Sequence, residues 1–446
     1  SQLYGVRLVD DEAITMIAVS GQPYSPTVLT GAATALTPNL LPLKELATLL
    51  DQPGGIRLAG IDVVSSGLRV RRGTGYPPLY STLLADRPAA GQRTTRLVIR
   101  LDIARSTEGL RYRPSVGAAA AAATERIVNA LLQREIRANV LTAKDLDAAL
   151  VELGSGLAVP TAGPEAAVHS PAPTEAWRTM HTHPGYLTSY FFSPEDVNTN
   201  ALNQMWALHS DAVVQTVSLT ARRDGTDDRP HVSALVRLSD PQPPTNPPTL
   251  YLNTLPADQG PAAVRAAPGP RWFDRLHARP LDAGEVDIPI GSSGVLVGTT
   301  LRGDLLLMAL TDPDQSTRIS MRTSMAYTRQ LLVRAAAVGE RVAIYTDNPS
   351  RWATLEQPLI AVVDRSHPPE FVPSIIVSDR AAGPPPAGLA ATVISLGTEG
   401  NADVSFEQTS DSMVRITTAA FSADIHIATF KAEQPFLGQA VDEMAH

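Results

Sequence analysis

Four places in this chain carry residues whose types and spacing suit chemistry. His181-Thr182-His183 sets two imidazoles two residues apart, so an extended backbone puts both on one face, as two ligands of a zinc site would stand. Such a site needs a third and usually a fourth ligand, which His169, His209 or Glu195 would have to supply through folding. Asp312-Pro313-Asp314 has the D-x-D spacing with which nucleotide-sugar transferases hold a divalent metal through paired carboxylates. Asp-Pro is also ordinary turn chemistry. Gly291-Ser292-Ser293-Gly294 approaches the nucleophile elbow of serine hydrolases, but G-x-S-x-G requires glycine at 295, where Val295 stands. Gly298–Gly303 has the glycine spacing of a phosphate loop, yet Asp304 occupies the lysine position and would repel the ligand. Three of these constellations lack a chemical requirement, and the fourth, Asp312-Pro313-Asp314, is a three-residue signal that a turn explains. The expectation is no catalytic, cofactor-binding or metal-ligating residue, no cofactor, and a protein that is not an enzyme.

Composition narrows the classes further. The 446 residues carry a formal net charge of -8, with 37 basic and 45 acidic side chains, which is not the footprint of a nucleic-acid binder. Lys44, Lys144 and Lys431 are the only lysines, so arginine dominates the basic residues, a genomic bias rather than a functional one. The absence of cysteine excludes disulfides, thiolate metal sites and cysteine nucleophiles. No apolar run approaches the ~20 residues that span a bilayer; Val116–Ala123 is an alanine tract, too short and too weakly apolar. The chain opens at Ser1 rather than methionine, which leads to the expectation that it is a piece of a longer protein.

The elements that must position these groups follow from periodicity. Strands are expected at Val6–Ser20, Ile56–Val70, Arg96–Ile103, Ala138–Thr142 and Tyr186–Phe192, and a hairpin from Val213–Arg222 and His231–Leu238 across Asp224–Asp228. Helices are expected at Leu40–Leu50, at Ser115–Arg137 with Ser115 as cap, at Lys144–Leu153, from Ser193 to Trp206 with Ser193 as cap, and at Ser324–Val338 with Gly339 as a left-handed stop. Arg126, Arg134, Arg329 and Arg334 are read as solvated or partner-facing, and Ala118–Ala123 as a face on which another helix can approach closely. Gly154–Pro173 reads as a loop, and the tail to His446 as polar and unstructured. Proline-rich Asp240–Pro248 and Pro368–Pro386 divide the chain into 1–240, an N-terminal α/β region, 241–367, a second α/β region, and 368–446, a linker with a β-rich extension. Two strand–helix–strand orders, 96–153 and 319–355, imply parallel pairing. The fold class expected is α/β: layered sheets with strand–helix–strand units, plus the β-rich C-terminal extension.

Several segments together resemble EccE, a membrane component of the type VII (ESX) secretion system of actinobacteria. The most specific is IPIGSSGVLVG at Ile288–Gly298, followed by Asp304–Leu310 and by QLLVRAAAVGERVAIYTDNPSRW at Gln330–Trp352. RTTRLVIR at Arg93–Arg100, Tyr112–Ile127, Trp177, Gly185–Phe192 and the S-P-E-D segment to Trp206 add to it. The resemblance covers about Tyr4 to Arg365. It implies two transmembrane helices before this region, a soluble part on the cytoplasmic side of the inner membrane, and the partners EccB, EccC and EccD, with no catalytic residue. The function expected is a structural, assembly role in protein export. The alternative is an enzyme related to nucleotide-sugar transferases that uses Asp312 and Asp314 for a divalent metal.

Overall fold

The computed structural model describes residues 4–72, 76–155, 174–183, 185–221, 229–269, 276–363, 368–385, 391–397 and 401–437. Most of the loop expected over 154–173 lies outside them, as do the turn at 224–228 and the tail from 438. The chain forms two compact units whose segments interleave: Ser1–Gln22, Asn39–Gly67 and Arg93–Gly291 in the first, Pro23–Pro38, Leu68–Gln92 and Ser292–His446 in the second. These units do not follow the proline-rich stretches at 240–248 and 368–386.

The first unit is built on an antiparallel sheet. Its main path runs Arg7–Val9, Glu12–Ser20, Gln92–Asp102, Ile56–Leu68, Ala212–Ala221, Pro230–Asp240, Gly185–Phe192, Met180–Thr182, Thr174–Glu175. The expected hairpin forms, with Val217 opposite Ala234. Central strands are buried almost continuously rather than at alternate positions; Ala212–Ala221 and Pro230–Asp240 each hide a run of inner residues. Glu12–Ser20 shows why. Helix Ala143–Ser155 packs Leu146, Ala149 and Leu153 with Ile14, Met16 and Val98. Helix Val116–Leu132 lies on the opposite face, where Thr124 bonds Thr15. With a helix on either side, both faces are apolar and the period of two vanishes.

Helix Val116–Leu132 starts where Ser115 predicts: the Ser115 hydroxyl accepts the Ala118 N–H at 3.0 Å. Its small residues Ala119, Ala120 and Ala123 are buried against the unit's own sheet. The alanine face is therefore used internally, which corrects the expectation of a face open to another helix. Ser193 caps nothing; Pro194–Asp196 is a single 3₁₀ turn. The helix Thr199–Gln204 starts instead at Asn198, whose Oδ1 accepts the Ala201 N–H at 3.0 Å.

The second unit holds a mixed sheet. Ile360–Val363, Val342–Thr346, Ile375–Asp379, Thr392–Leu396, Thr317–Arg322 and Val404–Ser410 run parallel, and Met413–Thr418, Ser422–His426, Val295–Thr299, Leu305–Met308, Pro26–Thr30 and Thr34–Leu36 continue it antiparallel. Ser324 caps helix Met325–Ala337, and Gly339 ends it at φ +98°.

The expectation of a layered α/β fold is overturned. Of the described residues 38% lie in strands and 24% in helices, in large antiparallel and mixed sheets. Neither strand–helix–strand order pairs its own strands. Gln92–Asp102 and Arg137–Val140 both run antiparallel to Glu12–Ser20, which lies between them. Thr392–Leu396 and Ile375–Asp379 lie between Thr317–Arg322 and Val342–Thr346. The C-terminal strands are not an added β-rich extension either, since Val404–Ser410 joins the parallel half of the sheet to the antiparallel half. The physical reason is that strand partners are chosen by long-range burial, which no local pattern encodes. No helix among the described residues is long and apolar enough to cross a membrane.

Candidate functional site

The four sequence candidates do not converge. His181 is exposed and stacks on Tyr186 with ring centroids 5.0 Å apart. His183 is exposed beyond the strand end, and Thr182 between them is buried. Among the described residues, no group of three or more His, Asp or Glu side chains stands together as a metal cluster. Asp312 is buried, and its Oδ1 accepts the Asp314 N–H at 3.0 Å, the bond by which an aspartate shapes its own turn. Ser293 is buried; its N–H donates to the Ala90 carbonyl at 2.8 Å and its hydroxyl accepts the Ala90 N–H at 3.1 Å. Gly294, at φ +81°, leaves no room for a Cβ, which would stand 2.1 Å from the Met308 carbonyl carbon. Gly303 and Asp304 close a hairpin between Val295–Thr299 and Leu305–Met308, whereas a phosphate loop leads from strand to helix.

Periodicity concealed two buried ionic networks. In the first unit Asp62, fully buried, takes Arg100 Nε at 2.8 Å, Arg265 Nη1 at 2.8 Å and Nη2 at 2.9 Å, and the Ser218 hydroxyl at 2.7 Å. Arg100 Nη1 also reaches Glu12 at 3.1 Å, so two guanidinium groups meet two carboxylates. In the second unit Arg334, 1% exposed, donates to Glu433 at 2.7 and 3.0 Å, while the Tyr76 hydroxyl donates to Glu433 at 2.6 Å. Burial and this carboxylate push the Tyr76 hydroxyl pKa far above its ordinary value. Arg334 is thus neither solvated nor partner-facing, contrary to expectation. Arg329 donates to the Leu437 carbonyl, and Arg126 to Gln52. The available sequence signal was a charge inside an apolar run, as at Asp62 in Ile61–Val64 and Arg100 in Leu97–Leu101.

An open notch lies at the edge of the first unit's sheet. Strand Gly185–Phe192 pairs outward with Met180–Thr182 at one end and Leu252–Thr254 at the other, which leaves Thr188 and Ser189 between them. Gln259 fills that gap: its Oε1 accepts the Ser189 N–H at 2.8 Å and its Nε2 donates to the Ser189 carbonyl at 3.1 Å, so a side-chain amide replaces a strand backbone. Outside the gap is a pocket of about 360 Å³, lined among others by Arg178, Thr188, Pro244, Asn246, Asn253 and Gln259. Arg178 is exposed and has no carboxylate partner among the described residues. Three separate stretches of chain form this notch, and no local spacing announces it.

Comparison with known proteins gives one consistent outcome. The family model described as type VII ESX secretion system translocon, EccE, matches residues 89–192. The ESX-2 secretion system protein EccE2 of Mycobacterium tuberculosis is 31% identical over 365 residues, which cover 82% of this chain and 64% of that relative. The ESX-5 secretion system protein EccE5 of Mycobacterium marinum is 28% identical over 254 residues, 53% of this chain and 59% of the relative. EccE5 of Mycobacterium tuberculosis is 29% identical over 309 residues, 64% and 71% respectively. The chain thus spans about three fifths of the first two relatives.

Proposed function

Because the chain belongs to the EccE family of type VII ESX secretion systems, we propose that it is a structural component that holds partner subunits of the secretion complex together at the inner membrane and performs no turnover. In this reading the partners are EccB, EccC and EccD, the membrane attachment comes from helices outside this chain, and the region described faces the cytoplasm. The observation that carries it is how the reactive-looking groups are used. Ser293 is bonded to Ala90, and Asp312 to its own turn. The most deeply buried charges, Asp62, Arg100, Arg334 and Glu433, are bonded within the fold. A catalytic group needs an open acceptor or donor aimed at a substrate.

Deletion and complementation test this. Deleting the chain is expected to abolish secretion and to lower recovery of the EccB–EccC–EccD complex. Asp312→Asn/Asp314→Asn and Ser293→Ala, in protein that remains folded, are expected to leave secretion intact. Loss of secretion from a stable, fully assembled complex carrying Asp312→Asn/Asp314→Asn would overturn the structural reading in favour of metal-dependent chemistry.

A further inference from the structure

We propose that the notch beside Leu252–Thr254 is a docking site for an extended, acidic segment of another protein of the secretion complex, with one carboxylate of that segment on Arg178. The proposal rests on the assembly role above and names a surface and a partner chemistry for it.

Charge selects the occupant. The selection is local and runs against the chain's net charge of -8: the nearest acidic neighbour in sequence, Glu175, turns its carboxylate to the Gly260 N–H at 2.8 Å rather than to Arg178. Arg178 has no carboxylate partner among the described residues. An occupant that covers this guanidinium without an anion would leave a desolvated charge, so a carboxylate is what the wall accepts. Arginine also takes a carboxylate through two parallel bonds, which fixes orientation as well as charge.

Size and lining select an extended segment over a folded surface. A volume of about 360 Å³ holds a few side chains, at the small end of ordinary ligand pockets. The lining places the exposed side chains of Thr245 and Asn246, on the loop before Leu252–Thr254, opposite that strand's last residue, Thr254, groups that can hydrogen-bond a peptide backbone; Thr188 and Asn253 are already bonded to Thr179 and to Phe191 and Ser193. Pro244 and Pro247, both half-buried, stiffen the outer wall, so little order is lost on binding. Apolar anchors flank the lining: Trp177, 67% exposed, precedes Arg178, and Leu250, 99% exposed, stands two residues before Leu252. The Trp177 carbonyl accepts the Ala257 N–H at 2.8 Å, which fixes the tryptophan backbone beside the Gln259 segment. Tryptophan and arginine are the residue types that dominate the binding energy of protein interfaces.

The experiment uses the full-length protein in its secretion complex. A photo-crosslinking residue at Asn246 is irradiated, and the product is mapped by peptide mass spectrometry. The expected product is a crosslink to an acidic segment of another complex component. It should fall by at least about tenfold with Arg178→Glu or Trp177→Ala and persist largely with Arg178→Lys, in variants whose thermal unfolding is unchanged. A crosslink that survives Arg178→Glu, a crosslink only to a second copy of this chain, or no crosslink in an intact complex overturns the proposal. The two readings fail separately. A crosslink that is absent or indifferent to Arg178→Glu, while deletion still lowers assembly, defeats the notch alone. Intact assembly after deletion defeats the assembly role, and the crosslink then decides the notch by itself.

Discussion

Helix Val116–Leu132 in the first unit and helix Met325–Ala337 in the second each start on a capping serine and lead into a strand. Their surroundings differ. The first hides a stripe, Ala119, Ala120, Ala123, Thr124, Ile127 and Leu131, and leaves Glu125, Asn129 and Leu132 exposed. The second hides an unbroken run from Gln330 to Ala337, including Arg334. A half-covered helix can leave a charge such as Glu125 in water, with no guanidinium delivered to it among the described residues. An enclosed helix with an arginine needs a carboxylate delivered to it. Glu433 comes from the last described segment of the chain, about a hundred residues away in sequence. Burial thus converts a surface residue type into a long-range structural dependency.

The comparison breaks most sharply at Glu433. Glu433→Ala strands Arg334 and removes the acceptor of the Tyr76 hydroxyl. The expected destabilisation is about 3–5 kcal/mol by chemical denaturation, with a smaller loss in Arg334→Met/Glu433→Leu, where no lone charge remains buried. Truncation after Phe430 should act like Glu433→Ala, and equal stability of the truncated and intact chains would show that the enclosed helix does not depend on this segment. The first unit offers a matched test, because its buried charge is satisfied by Arg100, Ser218 and Arg265 of the same unit. Asp62→Ala should also cost about 3–5 kcal/mol, yet be insensitive to that truncation.

A smaller effect is expected from size. Ala120→Leu overfills the contact between helix Val116–Leu132 and its sheet and should cost about 1–3 kcal/mol. The same volume added at exposed Asn129, as Asn129→Leu, should change stability by less than about 0.5 kcal/mol. Similar values at the two positions would mean that the stripe does not set the packing. The caps come next. Ser115→Ala and Ser324→Ala should each cost about 1 kcal/mol, and similar values would show that capping is indifferent to enclosure.

The last effect is in pH dependence. Burial raises the Glu340 carboxyl above its ordinary value, against hydroxyl donation from Ser374 and Thr311. The folded state therefore holds this proton more tightly than the unfolded chain. The stabilisation is fully present below the unfolded value near 4.5 and is lost as pH rises through the higher folded value. Melting temperatures of Glu340→Gln should fall less steeply than those of the parent protein as pH rises above about 4.5. Parallel curves would exclude Glu340 as the source.

Sequence alone determined what depends on near neighbours. The Ser115 and Ser324 caps, the stop at Gly339, the strand at Ile56–Leu68 and the hairpin of Ala212–Ala221 with Pro230–Asp240 are local matters of dihedral preference and short-range bonding, and each is where the residues place it. In the IPIGSSGVLVG segment Gly291 and Gly294 adopt positive φ, at +76° and +81°, a local conformation that glycine permits. The tertiary structure decided everything that requires two distant stretches to meet. It inserted Glu12–Ser20 between the strands of one strand–helix–strand order and two strands between those of the other. It enclosed Arg334 with Glu433, and assembled the notch from the 178, 188 and 244–259 stretches. Local periodicity reports which residues share a face, but which face is covered, and by what, depends on burial summed over the whole chain.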